Sequence, residues 1–182
     1  MQSCLRSLLF LLLLLLLPCE VVTQKHVDVA SSYIGTVEPY GNNRSSVIDA
    51  WNKAVHAALG SPYCASAVSA WLEASGVAYP TVRTARARGF IVRKAIEAGR
   101  ILRGEVKVKK GDLIIWQRAG GGHIGVAAED WQSAHGKVIE ANTSSGRSGS
   151  QWNGNGVWTR QRRITPQSAF RITHVVKVVY AR

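Results

Sequence analysis

Three side chains in this sequence could together support chemistry at a nucleophilic sulfur: Cys64, His123 and Glu140. The thiolate is the nucleophilic form of cysteine. It is favoured at a helix N-terminus, where unpaired N–H groups and the helix dipole stabilise negative charge. The stretch from Ser61 and Pro62 to Gly76 reads as a helix, with Pro62 in a first turn that needs no N–H there. With Ser61 as its N-cap, Cys64 falls about three residues inside. Ala65, Ala67, Val68 and Trp71 give this helix an apolar side. Two readings of Cys64 stand side by side: an activated nucleophile, or one more small core residue.

A nucleophilic thiol requires a base. The mature chain offers His26, His56, His123, His135 and His174. The pattern puts His26 in an N-terminal tail and His56 in mid-helix. It puts His135 in a hairpin turn and His174 at the start of the last strand. His123 follows Gly120, Gly121 and Gly122 and opens a β-type run, Ile124 to Ala128, so a glycine turn delivers its ring to a strand end. The base needs a partner that fixes its tautomer and stabilises imidazolium. Glu140 and Asn142 lie two apart on the next β-type run, which places both on one face. A hairpin would turn that face toward His123. The bland alternatives are a structural strand-end histidine and a solvated polar pair.

The elements that must position these groups are legible in outline. Val47, Ile48, Trp51, Val55 and Leu59 recur at helical spacing, with Ser46 as N-cap and Gly60 as terminator. Arg83 to Arg103 reads as one or two short helices on a basic surface. Asp112 to Gln117, Ile124 to Ala128, Lys137 to Asn142, Val157 to Arg162 and Ile172 to Tyr180 read as strands. Helices first and strands after predict an α+β fold, with helices packed on one antiparallel sheet of about five strands. No linker interrupts residues 24–182, so they are expected to form a single domain.

Composition bounds the function. The chain has 182 residues, 46% of them apolar and 19% charged, a globular balance. Three cysteines exclude a disulfide-dense miniprotein. Leu8 to Leu17 are all apolar, preceded by Arg6 and ended by Pro18, too short a run for an ordinary transmembrane helix. This reads as a secretory signal over residues 1–23, cleaved after Thr23. A lipid anchor at Cys19 is the other route, and Pro18 counts against it. Export, to a periplasmic or extracellular location, would leave Cys64 as the lone thiol of the mature domain, either buried and inert or reactive.

Four blocks in order carry a resemblance. They are Gly60-Ser-Pro-Tyr-Cys64-Ala-Ser-Ala-Val-Ser-Ala-Trp71, Gly111-Asp-Leu-Ile-Ile-Trp116, Gly122-His-Ile-Gly-Val126 and Ile139-Glu-Ala-Asn-Thr143. Together with Gly35-Thr-Val-Glu38 and Asn42-Asn-Arg44, the chain over about residues 33 to 160 resembles the CHAP family. These are cysteine, histidine-dependent amidohydrolases/peptidases, relatives of NlpC-like enzymes with a papain-like fold. The resemblance implies that Cys64 is the nucleophile and His123 the general base. It implies Glu140 as the main orienter of His123 and Asn142 as a helper, the reverse assignment remaining open. It further implies a thioester acyl-enzyme, no cofactor or metal, and a substrate in the peptide part of bacterial peptidoglycan, cut as an amidase or an endopeptidase. The backbone N–H of Cys64 would be one oxyanion donor. Ala57-Ala-Leu-Gly60 offers no side-chain amide for the second, which leaves Asn42 or Asn43 as candidates. Tyr63 replaces the tryptophan common beside the thiol and keeps an aromatic substrate contact there.

The formal charge is +12. Arg83 to Lys110 holds ten Lys/Arg and two Glu, and seven Lys/Arg with no acid follow Glu140. These basic patches either hold the protein on an anionic cell envelope or form a solvated surface. No nucleic-acid motif is present, and the expected assembly is a monomer. Trp116, Trp131, Trp152 and Trp158 either line a groove for sugar or peptide, Trp116 first among them, or pack the core. Two other functions share this chemistry or fold: an inactive wall-binding or lipid-anchored module, and an antibacterial toxin.

Overall fold

The computed structural model describes residues 24–146, 154–166 and 171–181. Residues 1–23, where the secretory signal and Cys19 are expected, lie outside these residues, as does Trp152. The fold is α+β. Helices α1 (Lys25–Ser32), α2 (Ser46–Ala54) and α3 (Cys64–Ala74) come first. Strand β1 (Val77–Tyr79), a 3-10 turn (Ala87–Phe90), β2 (Ile96–Glu97) and α4 (Ala98–Leu102) follow. The remaining strands are β3 (Leu113–Arg118), β4 (Gly121–Ala127), β5 (His135–Thr143), β6 (Gly156–Arg163), β7 (Arg171–Val176) and β8 (Val179–Tyr180).

A six-stranded antiparallel sheet runs in the order β2-β7-β3-β4-β5-β6, and β1 pairs with β8 separately. The expected strands all form, but the last run splits into β7 and β8, and the two-residue β2 adds an edge. Alternation along the strands divides the core between two faces. Ile115, Ile124, Val126, Ile139 and Ala141 pack with Trp51, Val68, Trp71 and Leu72 under the helices. Ile114, Trp116, Val138, Ile172 and Val175 pack on the other face with Ala98 and Ile101 of α4 and with Trp131.

The first long helix is shorter than its apolar spacing suggests. Its N-cap is Ser45, whose Oγ accepts from Ile48 N at 3.2 Å. It ends at Ala54 because His56 adopts φ 56°, a conformation that cannot continue a helix. Leu59, assigned to the apolar face by spacing, is therefore off the helix and exposed. The second helix starts at Cys64 rather than near Ser61, with Tyr63 as its N-cap residue, so Pro62 precedes the helix.

His26 departs furthest from expectation. It lies in α1, fully buried, not in a tail. Its Nε2 donates to Gly111 O at 2.7 Å, and its Nδ1 is 2.5 Å from Tyr180 Oη, which also accepts from His26 N at 3.0 Å. The neutral ring satisfies all three contacts. The clamp joins the first described helix to the last strand. Gly111 completes it: with φ 86°, it lies so close that a Cβ there would meet Gln24 and come within 2.9 Å of the His26 ring. Burial lowers the His26 pKa, outweighing the Gly111 carbonyl and Asp28, which favour the charged ring. The clamp's stability is thus complete above the unfolded histidine value of about 6.5 and declines as pH falls below it. His26→Gln is expected to cost about 1–2 kcal/mol near neutral pH by urea titration. The gap between the two proteins should narrow at about pH 5. A gap independent of pH would show that His26 does not titrate with folding.

Candidate active site

Cys64 is the first residue of α3, and no side-chain cap closes that helix's N-terminus. The backbone N–H groups of its first turn are the ones a helix leaves without internal partners. The thiol is only 6% exposed, yet it lines a cavity of about 430 Å³ together with Pro62, His123 and Asn142. Exposed Arg86, Arg88 and Gly120 form part of the rim. Cys64 and His123 line the same cavity, and the sulfur lies near enough to raise the imidazole's pKa.

His123 is the third residue of β4, inside the strand rather than before it. Its Nε2 is 2.9 Å from Glu140 Oε2. That contact leaves Nδ1 for the thiol. The register explains how the carboxylate arrives. Gly125 of β4 lies directly opposite Glu140 of β5, and His123 is two residues back on the same face. A Cβ at Gly125 would lie 2.8 Å from Glu140 Cγ and 2.7 Å from Ile139 O. Glycine there opens the diagonal path from Glu140 to the imidazole.

Glu140 has no exposed side-chain surface. Such a carboxylate stays ionised only with close counter-charges and donors. Arg162 of β6 supplies them as a bidentate pair, Nε to Oε1 and Nη2 to Oε2, each 2.5 Å. Burial raises the carboxyl's pKa, and Arg162 and then His123 outweigh it, so the net direction is down. Trp116, opposite His123 in register, holds its ring centroid 5.3 Å from the imidazole and 5.7 Å from the Arg162 guanidinium carbon. Burial lowers the His123 pKa, but the hydrogen bonds to Cys64 and Glu140 outweigh it and hold the value up at about 9. The ring is therefore an imidazolium at neutral pH. The stability it contributes is full below the unfolded value of about 6.5 and is lost as pH rises through the folded one.

The structure brings Cys64, His123, Glu140 and Asn142 together and leaves the expected substrate contacts elsewhere. Asn142 lines the cavity in a bulge of β5 with φ 57°, and its buried Oδ1 has no hydrogen-bond partner among the described residues. Glu140 alone of the pair bonds Nε2 of His123. Tyr63 does not line the cavity: it is fully buried and donates to Glu38 Oε1 at 3.0 Å. Burial and the Glu38 carboxylate push its pKa up, keeping the phenol a neutral donor. Asn43 is buried, donating through Nδ2 to Gly60 O at 3.1 Å and through its backbone N–H to Glu38 Oε2 at 2.7 Å. Asn42 is exposed away from the cavity. Glu38, Asn43 and Tyr63 thus brace the segment that leads into Cys64. Trp116 is 4% exposed and Trp131 3%, so both are packing residues and not groove walls.

Sequence reasoning missed Gly125 and Arg162. Arg162 is one of three arginines in β6, and only its alternation with Arg163 hints that it turns inward. Among the described residues, no group of three or more His, Cys, Asp or Glu side chains is disposed to hold a metal ion, and no helix is long and apolar enough to cross a membrane. Comparison of the chain with protein-family models and with curated proteins gives no match.

Two variants test this geometry through the alkylation rate of Cys64. Gly125→Ala should slow alkylation at least about tenfold and cost about 1–3 kcal/mol of stability, because it displaces Glu140. Arg162→Met removes the main group holding Glu140 ionised, so the carboxyl protonates at higher pH. The acid limb of the rate–pH profile should move upward in that variant. An unmoved limb would show that Arg162 does not govern Glu140.

Proposed function

We infer that the protein is an exported cysteine hydrolase, built on a papain-like fold, that cleaves amide bonds in the peptide part of bacterial peptidoglycan. One observation carries this reading: a thiol at an uncapped helix N-terminus shares a cavity with a histidine whose far nitrogen is held by a buried carboxylate. That set matches the roles of nucleophile, general base and orienter. The peptidoglycan assignment rests on the sequence blocks resembling the CHAP family, and export rests on the apolar segment after Arg6.

The chemistry follows from the charges. Cys64 Sγ attacks the amide carbonyl carbon, and the carbonyl oxygen becomes an oxyanion near the N–H groups that open α3. His123 gives its proton to the departing nitrogen as the C–N bond breaks, leaving a thioester. Water then attacks the thioester carbon while His123 takes its proton. The C–S bond breaks, the acid leaves, and the proton returns the pair to its starting state. Glu140 keeps the imidazole oriented in both halves.

Residues 24–182 incubated with purified sacculi should release new amines. Cys64→Ala should reduce release by about 10⁴-fold or more. Equal release by the variant, or none from the wild type, would remove the hydrolase reading.

A further inference from the structure

The cavity that holds Cys64 and His123 is also lined by three arginines, Arg86, Arg88 and Arg118. No carboxylate lines it among the described residues. Several other arginines pair with acids: Arg44 with Asp49, Arg83 with Glu73, and Arg100 and Arg103 with Glu105. The Arg88 guanidinium instead binds neutral carbonyls, Nε donating to Gly121 O at 3.0 Å and Nη2 to Arg118 O. These contacts fix its position without cancelling its charge. A concave site lined by one sign of charge concentrates the field and selects ligands of the other sign. A guanidinium matches a carboxylate in shape as well as charge.

The placement of these cations gives a direction. Arg88 grips the loop Gly120–Gly122, which runs straight into His123. The Arg118 side chain folds against the same loop, where a Cβ at Gly121 would lie 3.0 Å from its Nε. His123 is the group that must protonate the departing nitrogen. Cations held on its approach loop therefore face the amine fragment.

We propose that Arg86, Arg88 and Arg118 bind a free carboxylate on the departing-amine side of the scissile amide. This rests on the hydrolase reading and narrows it. The departing residue is one whose own α-carboxylate is not tied into the next amide, either a chain terminus or a residue joined onward through a side chain. Isopeptide-linked units of a peptide stem have that property. An amine released at the sugar–peptide junction, with its carboxyl still in amide linkage, does not. The cut thus lies between two amino-acid residues of the peptide and not at the sugar–peptide junction.

The test begins with alkylation of Cys64, which needs no substrate. Iodoacetate carries a carboxylate and iodoacetamide does not. Rate constants for both are measured on residues 24–182 and on the double variant Arg86→Gln/Arg118→Gln. Arg88 is kept because it holds the glycine loop. His123 is present in both proteins, so its own attraction for the anion cancels in the comparison. The iodoacetate-to-iodoacetamide ratio should fall about tenfold in the double variant. An unchanged ratio would overturn the anion-binding wall, whatever the protein hydrolyses.

The second arm offers two peptides that differ only in whether the departing residue's carboxylate is free or amidated. Faster cleavage of the free acid is expected, with the preference lost in the double variant. Equal cleavage would overturn the directional assignment. Cleavage of neither, by a protein whose alkylation ratio does fall, would retire the hydrolase reading and leave the anion-binding wall in place.

Discussion

A carboxylate with no contact to water must be charge-compensated or protonated, and the site depends on which of these holds for Glu140. An isolated buried carboxylate costs far more than any single contact returns. Arg162 meets both of its oxygens, and His123 meets one of them from the other side. The trio is self-consistent: the guanidinium keeps Glu140 ionised, and Glu140 helps keep His123 protonated. His123 in turn places positive charge beside Cys64. Removing one member of such a buried set leaves an uncompensated charge, at a cost of about 3–5 kcal/mol. Trp116, against both cations, lines the arrangement with an aromatic face in place of water.

The architecture keeps these groups from drifting. His123, Glu140 and Arg162 come from three adjacent strands, β4, β5 and β6, so backbone ladders fix their spacing. The missing side chain at Gly125 lets Glu140 cross diagonally to its neighbour. Cys64 comes from another layer, and its position is secured upstream. Tyr63 and Asn43 converge on buried Glu38, tying the loop before the helix to the turn before α2. Further away, His26 links α1 to β8 through Tyr180 and to the start of β3 through Gly111.

Much of the site was legible because its chemistry is carried by rare residue types in a constrained order. A helix start, a glycine turn and a two-residue spacing made Cys64, His123 and Glu140 candidates one by one, and the resemblance of the ordered sequence blocks joined them as a set. The α+β class followed from the order of apolar patterns. What stayed hidden depended on side-chain direction. Alternation in Val157 to Arg163 separates Arg162 from Arg163 but does not tie either to Glu140 until β5 and β6 pair in one register. The places expected at the cavity for Tyr63 and Trp116 as substrate contacts, and for Asn42 or Asn43 as oxyanion donor and substrate-binding residue, are not found there, because nearness in sequence to the thiol, or aromatic character, does not distinguish a cavity wall from its brace. His26 was misplaced because the short stretch around it carries little periodicity, and its burial depends on contacts with Gly111 and Tyr180, far along the chain.

The central claim is that His123 carries a positive charge beside Cys64 at neutral pH, and nitrogen NMR of the imidazole reads that state directly. Both ring nitrogens should be protonated near neutral pH, with a titration midpoint at about 9. Cys64→Ala should move the midpoint down, since the thiol is the first of the groups that raise it. A midpoint at or below the ordinary histidine value of about 6.5, or one that Cys64→Ala leaves in place, would contradict the account.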